Sequence, residues 1–261
     1  MPHWVRFRHG DTVGFGTLAD GHVTVHHGDM FDSPRANGTR LPRADVTLLA
    51  PTTPSKVIAL WNNFHALAAK LGVAEPSEPL YLLKAPSSVT DPDAAVGRPS
   101  SYDGRIVYEG ELAIVIGRTC SNVGPDDADA HIFGYTCVND ITAADIITRD
   151  STFAQWARAK GFDGFCPFGP VIATAVDPAT LVVRTVLDGA ERQNYPIADM
   201  IFSAQQLVSR ISHDMTLHPG DIICCGTSLG VGAMKAAVST VTVAIDGIGE
   251  LTNTLHQPAI A

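Results

Sequence analysis

The sequence predicts an α+β protein in which strands dominate. Short apolar or alternating runs, bounded by Gly, Pro, Asn or Asp, recur along most of the 261 residues. The regular strand–helix alternation of a doubly wound sheet is absent. Composition agrees: 45% hydrophobic and 17% charged residues are the proportions of a globular protein with a sizeable core. The length suits one large domain or a main domain with a small one.

Residues 1–52 read as a small N-terminal β domain, because runs such as Trp4-Val5-Arg6-Phe7 and His22-Val23-Thr24-Val25 alternate between Gly/Asp turns. Ala50-Pro51-Thr52-Thr53-Pro54-Ser55 reads as a linker, and a main domain over 55–261 opens with the buried strand Lys56–Leu60. Phe64–Leu71 is alanine-rich and predicts a helix ended by Gly72. Tyr81–Lys84 predicts a short strand, and 85–104 a long loop. Ile106–Gly117 and Ile132–Asn139 predict two strands, and Ala143–Trp156 helix or helix fragments. Strands are expected near 170–175, 181–188 and 241–246, with an amphipathic helix over Met200–Ile211. His218-Pro219-Gly220-Asp221 places Pro and Gly for a type II turn into the buried strand Ile222–Cys225.

Three acids stand out. Glu109 and Glu111 are two apart on an expected strand, so both point to one face, with Gly110 between them allowing close approach. Asp140 ends the next apolar run. Glu-x-Glu on a strand is commonly a solvated face. At the mouth of a buried strand, however, such carboxylates repel unless a cation lies between them. An all-oxygen set favours Mg²⁺, Mn²⁺ or Ca²⁺ over Zn²⁺.

Other features exclude more than they assign. The net charge of −9 argues against nucleic acid as a partner. The five cysteines, Cys120, Cys137, Cys166, Cys224 and Cys225, form no C-x-x-C pair, so reduced core thiols are expected. With no basic-then-apolar leader and no run of membrane-spanning length, a cytoplasmic protein without membrane partners is the expectation. The Gly-rich stretch 226–232 lacks the ending of a phosphate loop and the spacing of a dinucleotide fingerprint. No Gly-x-Ser-x-Gly elbow is present. Lys160, in an apolar and turn-rich segment, is either a surface lysine or a cation for a carboxylate or enolate. His65 is a candidate base near neutral pH, or an ordinary exposed histidine.

Five strings occur in order: Y-E-G-E-L-A-I-V-I-G, G-Y-T-C-V-N-D, K-G-F-D-G-F-C-P-F-G-P, R-Q-N-Y-P-I-A-D-M-I-F and H-P-G-D-I-I-C-C-G-T-S-L-G-V-G. Over about residues 55–250 they resemble the fumarylacetoacetate hydrolase family in its small bacterial branch. The resemblance implies a β-rich roll-like core, a small N-terminal β domain and a homodimer. It implies an Mg²⁺ or Mn²⁺ site formed by Glu109, Glu111 and Asp140, with Lys160 as the active-site cation. Gly226, Thr227, Gln193 and Lys84 are implied near the substrate. The implied substrates are 2-oxo acids. The leading expectation is hydrolysis of a C–C bond in a 2,4-dioxo acid through a metal-held enolate. Decarboxylation or isomerisation of a 2-oxo diacid is the alternative, and a noncatalytic binder a third.

The chain departs from the family pattern twice. Hydrolytic relatives carry a His-x-x-Glu dyad on the helix after an Asn-Tyr pair. Here Asn63-Phe64 takes that pair's place, the dyad positions hold Leu67 and Lys70, and no acid follows His65 three residues on. Relatives also place Arg and Gln four and seven residues after the third ligand to grip the substrate carboxylate; here these are Ala144 and Ile147, with Arg149 nearby.

Overall fold

The computed structural model describes residues 2–257; Met1 and residues 258–261, the outer ends of the two expected domains, lie outside the described residues. The strands are β1 (His3–His9), β2 (Thr12–Ala19), β3 (His22–Asp29), β4 (Asp32–Pro42), β5 (Thr47–Leu49), β6 (Val57–Trp61), β7 (Leu80–Lys84), β8 (Val89–Thr90), β9 (Ala95–Gly97) and β10 (Ile106–Tyr108). They continue as β11 (Gly110–Ile116), β12 (Ile132–Asn139), β13 (Thr142–Ala143), β14 (Cys166–Ala173), β15 (Val182–Leu187), β16 (Ala190–Pro196), β17 (Ile222–Cys224), β18 (Gly232–Ala233), β19 (Val238–Ile245) and β20 (Gly249–His256). The helices are α1 (His65–Leu71), α2 (Ala144–Ile147), α3 (Trp156–Lys160) and α4 (Ala204–Asp214).

Three sheets result. The largest, of 12 strands, runs β4-β3-β2-β1-β14-β12-β11-β17-β6-β7, with β5 on β1 and β8 on β14. A sheet of 3 strands, β13-β10-β18, and one of 5, β16-β15-β19-β20-β9, complete the fold. The fold is therefore strand-rich and mixed, as expected. No helix among the described residues is long and apolar enough to cross a membrane.

The central strands explain themselves by composition. Gly110–Ile116 is buried along its whole length, and so is Ile222–Cys224. Strands covered on both faces lose the polar alternation of half-exposed ones. β17 lies parallel to β6, pairing Cys224 with Ala59. All five cysteines are free and buried, as expected. Helix α1 ends where Gly72 adopts a left-handed conformation at φ 65° and its N–H closes on Ala68 and Ala69. Helix α4 begins at a capping box between Ser203 and Gln206, four residues later than the amphipathic pattern alone suggests.

Two elements differ from expectation. The segment 85–104 is not a plain loop: β8 pairs with β14 and β9 with β20, both far along the chain. The expected strand 106–117 is two strands with Glu109 between them, because the Glu109 N–H is taken by the Asn139 side chain at 3.1 Å and not by a ladder carbonyl.

The expected linker is largely buried and fastened by Asp221. Its carboxylate accepts hydrogen bonds from the Ser55 and Lys56 amides, the Ser55 hydroxyl and the His218 amide, and pairs with Lys56 Nζ at 2.6 Å. Burial alone would raise its pKa; the Lys56 ammonium and the donated hydrogen bonds outweigh burial and hold it below the usual aspartate range. Its stabilising contribution is thus present at neutral pH and is lost as pH falls through that lowered value. Asp221→Ala is expected to cost about 3–5 kcal/mol, since it leaves several buried donors and a cation without partner. Urea melts at pH 7 would show this as a lower midpoint; an unchanged midpoint would refute it.

Candidate metal centre

The break at Glu109 creates the site. β10 and β13 pair in the small sheet, while β11 and β12 pair in the large one. The same two-stranded ribbon thus runs through both sheets, and Glu109 and Asp140 lie at its bend. The bend is held by the Asp140 N–H on the Glu109 carbonyl at 2.8 Å. Glu111, one residue into β11, reaches the same place. One carboxylate oxygen from each of Glu109, Glu111 and Asp140 lies within 4.8 Å of the others.

Gly110 matters here for a different neighbour than expected. A Cβ at this position would meet Thr185 Oγ1 at 2.0 Å, so its missing side chain admits the second sheet. Its backbone is also held from both ends. Gln193 Oε1 accepts the Gly110 N–H at 3.0 Å, and the hydroxyls of Tyr195 and Thr227 donate to its carbonyl at 2.6 and 3.2 Å.

The charges are unevenly satisfied. Lys160, buried at the end of α3, donates to Glu109 at 2.9 Å, to Asp140 at 2.6 Å and to Thr142 at 2.7 Å. Lys84, also buried, donates to the other oxygen of Asp140 and to the Phe165 carbonyl. Burial would raise the Asp140 pKa, but Lys160 and Lys84 outweigh it and hold it below the usual range. Burial opposes the charge on Lys160; Asp140, Glu109 and Glu111 outweigh it, so the amine is held protonated.

Glu111 is the opposite case. It is 0% exposed. Oε2 accepts the Gly226 amide at 2.9 Å, and Oε1 has no hydrogen-bond partner. Burial pushes its pKa well above the usual range, the Asp140 and Glu109 charges add to that, and Lys160 only partly offsets it. A buried carboxylate oxygen without a donor is costly and needs a reason. A hard divalent cation supplies one: three carboxylates converge, and among the described residues no thiol or imidazole joins them.

This gives a pH dependence with a definite sign. An acid with a raised folded pKa contributes stability below its unfolded value and loses it as pH rises through the folded one. A cation removes the penalty and must displace the proton. Mn²⁺ is therefore expected to raise the melting temperature more at pH 8 than at pH 5, measured against EDTA at each pH; an equal shift at both would contradict a raised Glu111.

The remaining candidates fall in two groups. Gly226 and Thr227 do flank the triad, Gly226 with φ 90° and its amide on Glu111. Lys84 and Gln193, expected to meet substrate, have a different placement. Both are buried, Lys84 with its amine on Asp140 and Phe165, Gln193 with its amide on Gly110, Thr227 and Leu229. These are contacts that position the triad and its floor. His65 is not brought to the triad: it is exposed at the start of α1 and bonds Glu75 at 2.6 Å.

Sequence reasoning missed five supports. Thr142 also donates to Glu109 at 2.8 Å, and Asn139 and Tyr195 hold the bend as described. Glu75 was missed because the acid was sought three residues after His65, whereas the turn at Gly72 brings residue 75 back beside it. Asn63 anchors the base of α1, donating to the Cys225 carbonyl at 2.9 Å and accepting the Phe202 amide at 3.0 Å.

Sheet junction and acid triad together define a β-rich protein with a carboxylate site suited to a hard cation. The chain belongs to the fumarylacetoacetate hydrolase family: a family model described as Fumarylacetoacetate (FAA) hydrolase C-terminal matches residues 56–256. A second, described as Rv2993c-like, N-terminal, matches residues 3–51. Oxaloacetate tautomerase YisK of Bacillus subtilis is 37% identical over 223 residues, 80% of this chain and 73% of its own. The crystal structure of 2-hydroxyhepta-2,4-diene-1,7-dioate isomerase from Mycobacterium marinum matches with TM-score 0.90 and 37% identity, covering 100% of both chains. Maleylpyruvate hydrolase from Sphingobium sp. SYK-6, solved with manganese(II) ion and pyruvate, matches with TM-score 0.79 and 26% identity over 98% of this chain and 100% of that one.

Proposed function

We propose that the protein is an Mg²⁺- or Mn²⁺-dependent enzyme that interconverts the enol and keto forms, or double-bond isomers, of a 2-oxo acid. The observation that carries this is the convergence of Glu109, Glu111 and Asp140 beside Lys160, with one buried Glu111 oxygen left without a hydrogen-bond partner. A divalent ion held by these three carboxylates supplies Lewis acidity toward the oxygens of a 2-oxo acid. Lys160 is a fixed cation beside the site, poised for negative charge that develops on a substrate oxygen. Gly226 and Thr227 form the floor. Isomerisation needs a proton moved between carbon and solvent but no activated water. That suits a chain with Leu67 and Lys70 at the dyad positions, and it agrees with the tautomerase and isomerase named among the relatives.

A second reading, hydrolysis of a 2,4-dioxo acid, is favoured by the His65–Glu75 pair, an imidazole oriented by a carboxylate on the segment leaving Asn63. One assay separates the two. Enol loss followed by absorbance, with Mn²⁺ and with EDTA, reports isomerisation without mass change. Mass spectrometry of acetylpyruvate incubations reports hydrolysis as pyruvate plus acetate. Metal-dependent hydrolysis without isomerisation would overturn the first reading. The expected homodimer would be checked by light scattering.

A further inference from the structure

We infer that the substrate's distal group is uncharged and aromatic, because the wall beside the triad is a pair of indoles and every nearby cation is committed elsewhere. The inference rests on the 2-oxo acid reading above and adds its substrate class. Trp61 ends β6, and the backbone at Leu60 and the Cβ of Asn63, on either side of it, lie 3.4 Å from the position a Cβ on Gly226 would take. Gly226 in turn holds Glu111. Trp156 is four residues before Lys160 on α3 and so shares its helix face. Lys160 in turn holds Glu109 and Asp140. The two indoles meet at 5.6 Å between ring centroids, tilted by 48°. The register pairs Ala113 with Cys224 and Cys224 with Ala59. Carried two residues on, it brings Glu111, Gly226 and Trp61 into one row, and Trp61 then shares the Glu111 face of the sheet with Trp156 packed against it. Trp61 and Trp156 are only half-buried, which leaves part of the pair open to a ligand.

A second carboxylate on the substrate would need a cation, and among the described residues those near the wall are already paired or lie on an exposed face. Lys84 and Lys160 are held by Asp140 and Glu109. Arg149 lies over the Tyr102 ring at 5.8 Å, and Arg158 donates to Gln155 at 2.9 Å. Lys70 is about 200° around α1 from buried Ala68 and is exposed. Ala144 and Ile147, which share a face of α2, carry no charge. A carboxylate placed against this wall would lose hydration without gaining a partner.

The test uses three inert ligands on the Mn²⁺-loaded full chain, read by calorimetry: oxalate for the 2-oxo acid head, oxanilate for the head with a phenyl group, and N-oxalylglycine for the head with a carboxylate. Oxalate is expected to bind, and oxanilate to bind at least about tenfold more tightly than N-oxalylglycine. Trp156→Ala should remove that advantage and leave oxalate affinity within about twofold, while Ala144→Arg should favour N-oxalylglycine. N-oxalylglycine binding as tightly as oxanilate, with oxalate bound, overturns the inference alone. Failure of oxalate itself to bind overturns the 2-oxo acid reading and this inference with it. The wild-type comparison stands even if Trp156→Ala does not fold.

Discussion

Glu111→Gln is expected to abolish tight Mn²⁺ binding and yet make the protein more stable in EDTA. The two effects have one cause. Glu111 is a buried acid whose second oxygen has no donor and whose charge is disfavoured by burial and by Asp140 and Glu109. At neutral pH the metal-free chain must either hold that charge or take up a proton to avoid it, and either opposes folding. A glutamine keeps the acceptor for the Gly226 amide and turns the unpartnered oxygen into a donor beside two carboxylates. The gain should be about 1 kcal/mol or more, roughly 2–4 °C in melting temperature for a chain of this size. The loss of Mn²⁺ affinity should exceed about 100-fold, because a ligand is removed and not merely its support. Calorimetry and thermal melts in EDTA check the two arms separately. A variant that melts lower in EDTA, or that keeps wild-type Mn²⁺ affinity, would refute this account of the site.

Lys160→Met should do the reverse to the metal-free protein. Lys160 is the common partner of Glu109, Asp140 and Thr142. Removing it leaves buried anions uncompensated, a change of about 3–5 kcal/mol against folding. Saturating Mn²⁺ should restore much of that loss, since it brings positive charge to the same acids. Turnover should not return with it. A fixed cation aimed at developing charge is worth about 10²–10³ in kcat. The decisive measurement is kcat for the folded, Mn²⁺-saturated variant. Wild-type turnover there would remove Lys160 from the chemistry and leave it a purely structural role.

These opposite signs could be drawn only in part from the sequence. The strand Ile132–Asn139 and the helix ended by Gly72 were legible because each combines a local pattern with a local stop signal. The three acids were legible because two of them share a strand spacing and the third ends a buried run. What was not legible depends on distant partners. Nothing within Ile106–Gly117 announces a break at Glu109, since the group that takes its amide is Asn139, on another strand. Val89–Thr90 and Ala95–Gly97 are strands only because β14 and β20 pass beside them. The start of α4 was different: Ser203 and Gln206 have capping-box spacing, and the apolar periodicity drew attention away from it. Lys84 and Gln193 were recognised as residues near the site, but whether a side chain faces the substrate or braces a ligand is decided by burial, which sequence does not display.

The first four strands have a consequence of another kind. They reach the rest of the molecule by the pairing of β1 with β5 and with β14, where His3 meets Ala173 and Trp4 meets Ile172. Trp4 and Phe31 also close over Phe133, with ring centroids 5.9 and 4.9 Å away. Without them, the Ile172–Ala173 end of β14, beyond the part that β8 covers, would be an unpaired apolar edge, the kind that templates pairing between molecules. Residues 3–42 therefore act as an edge guard, taking no part in the triad. A chain begun after the linker would keep every group of the metal centre and lose its protection against aggregation.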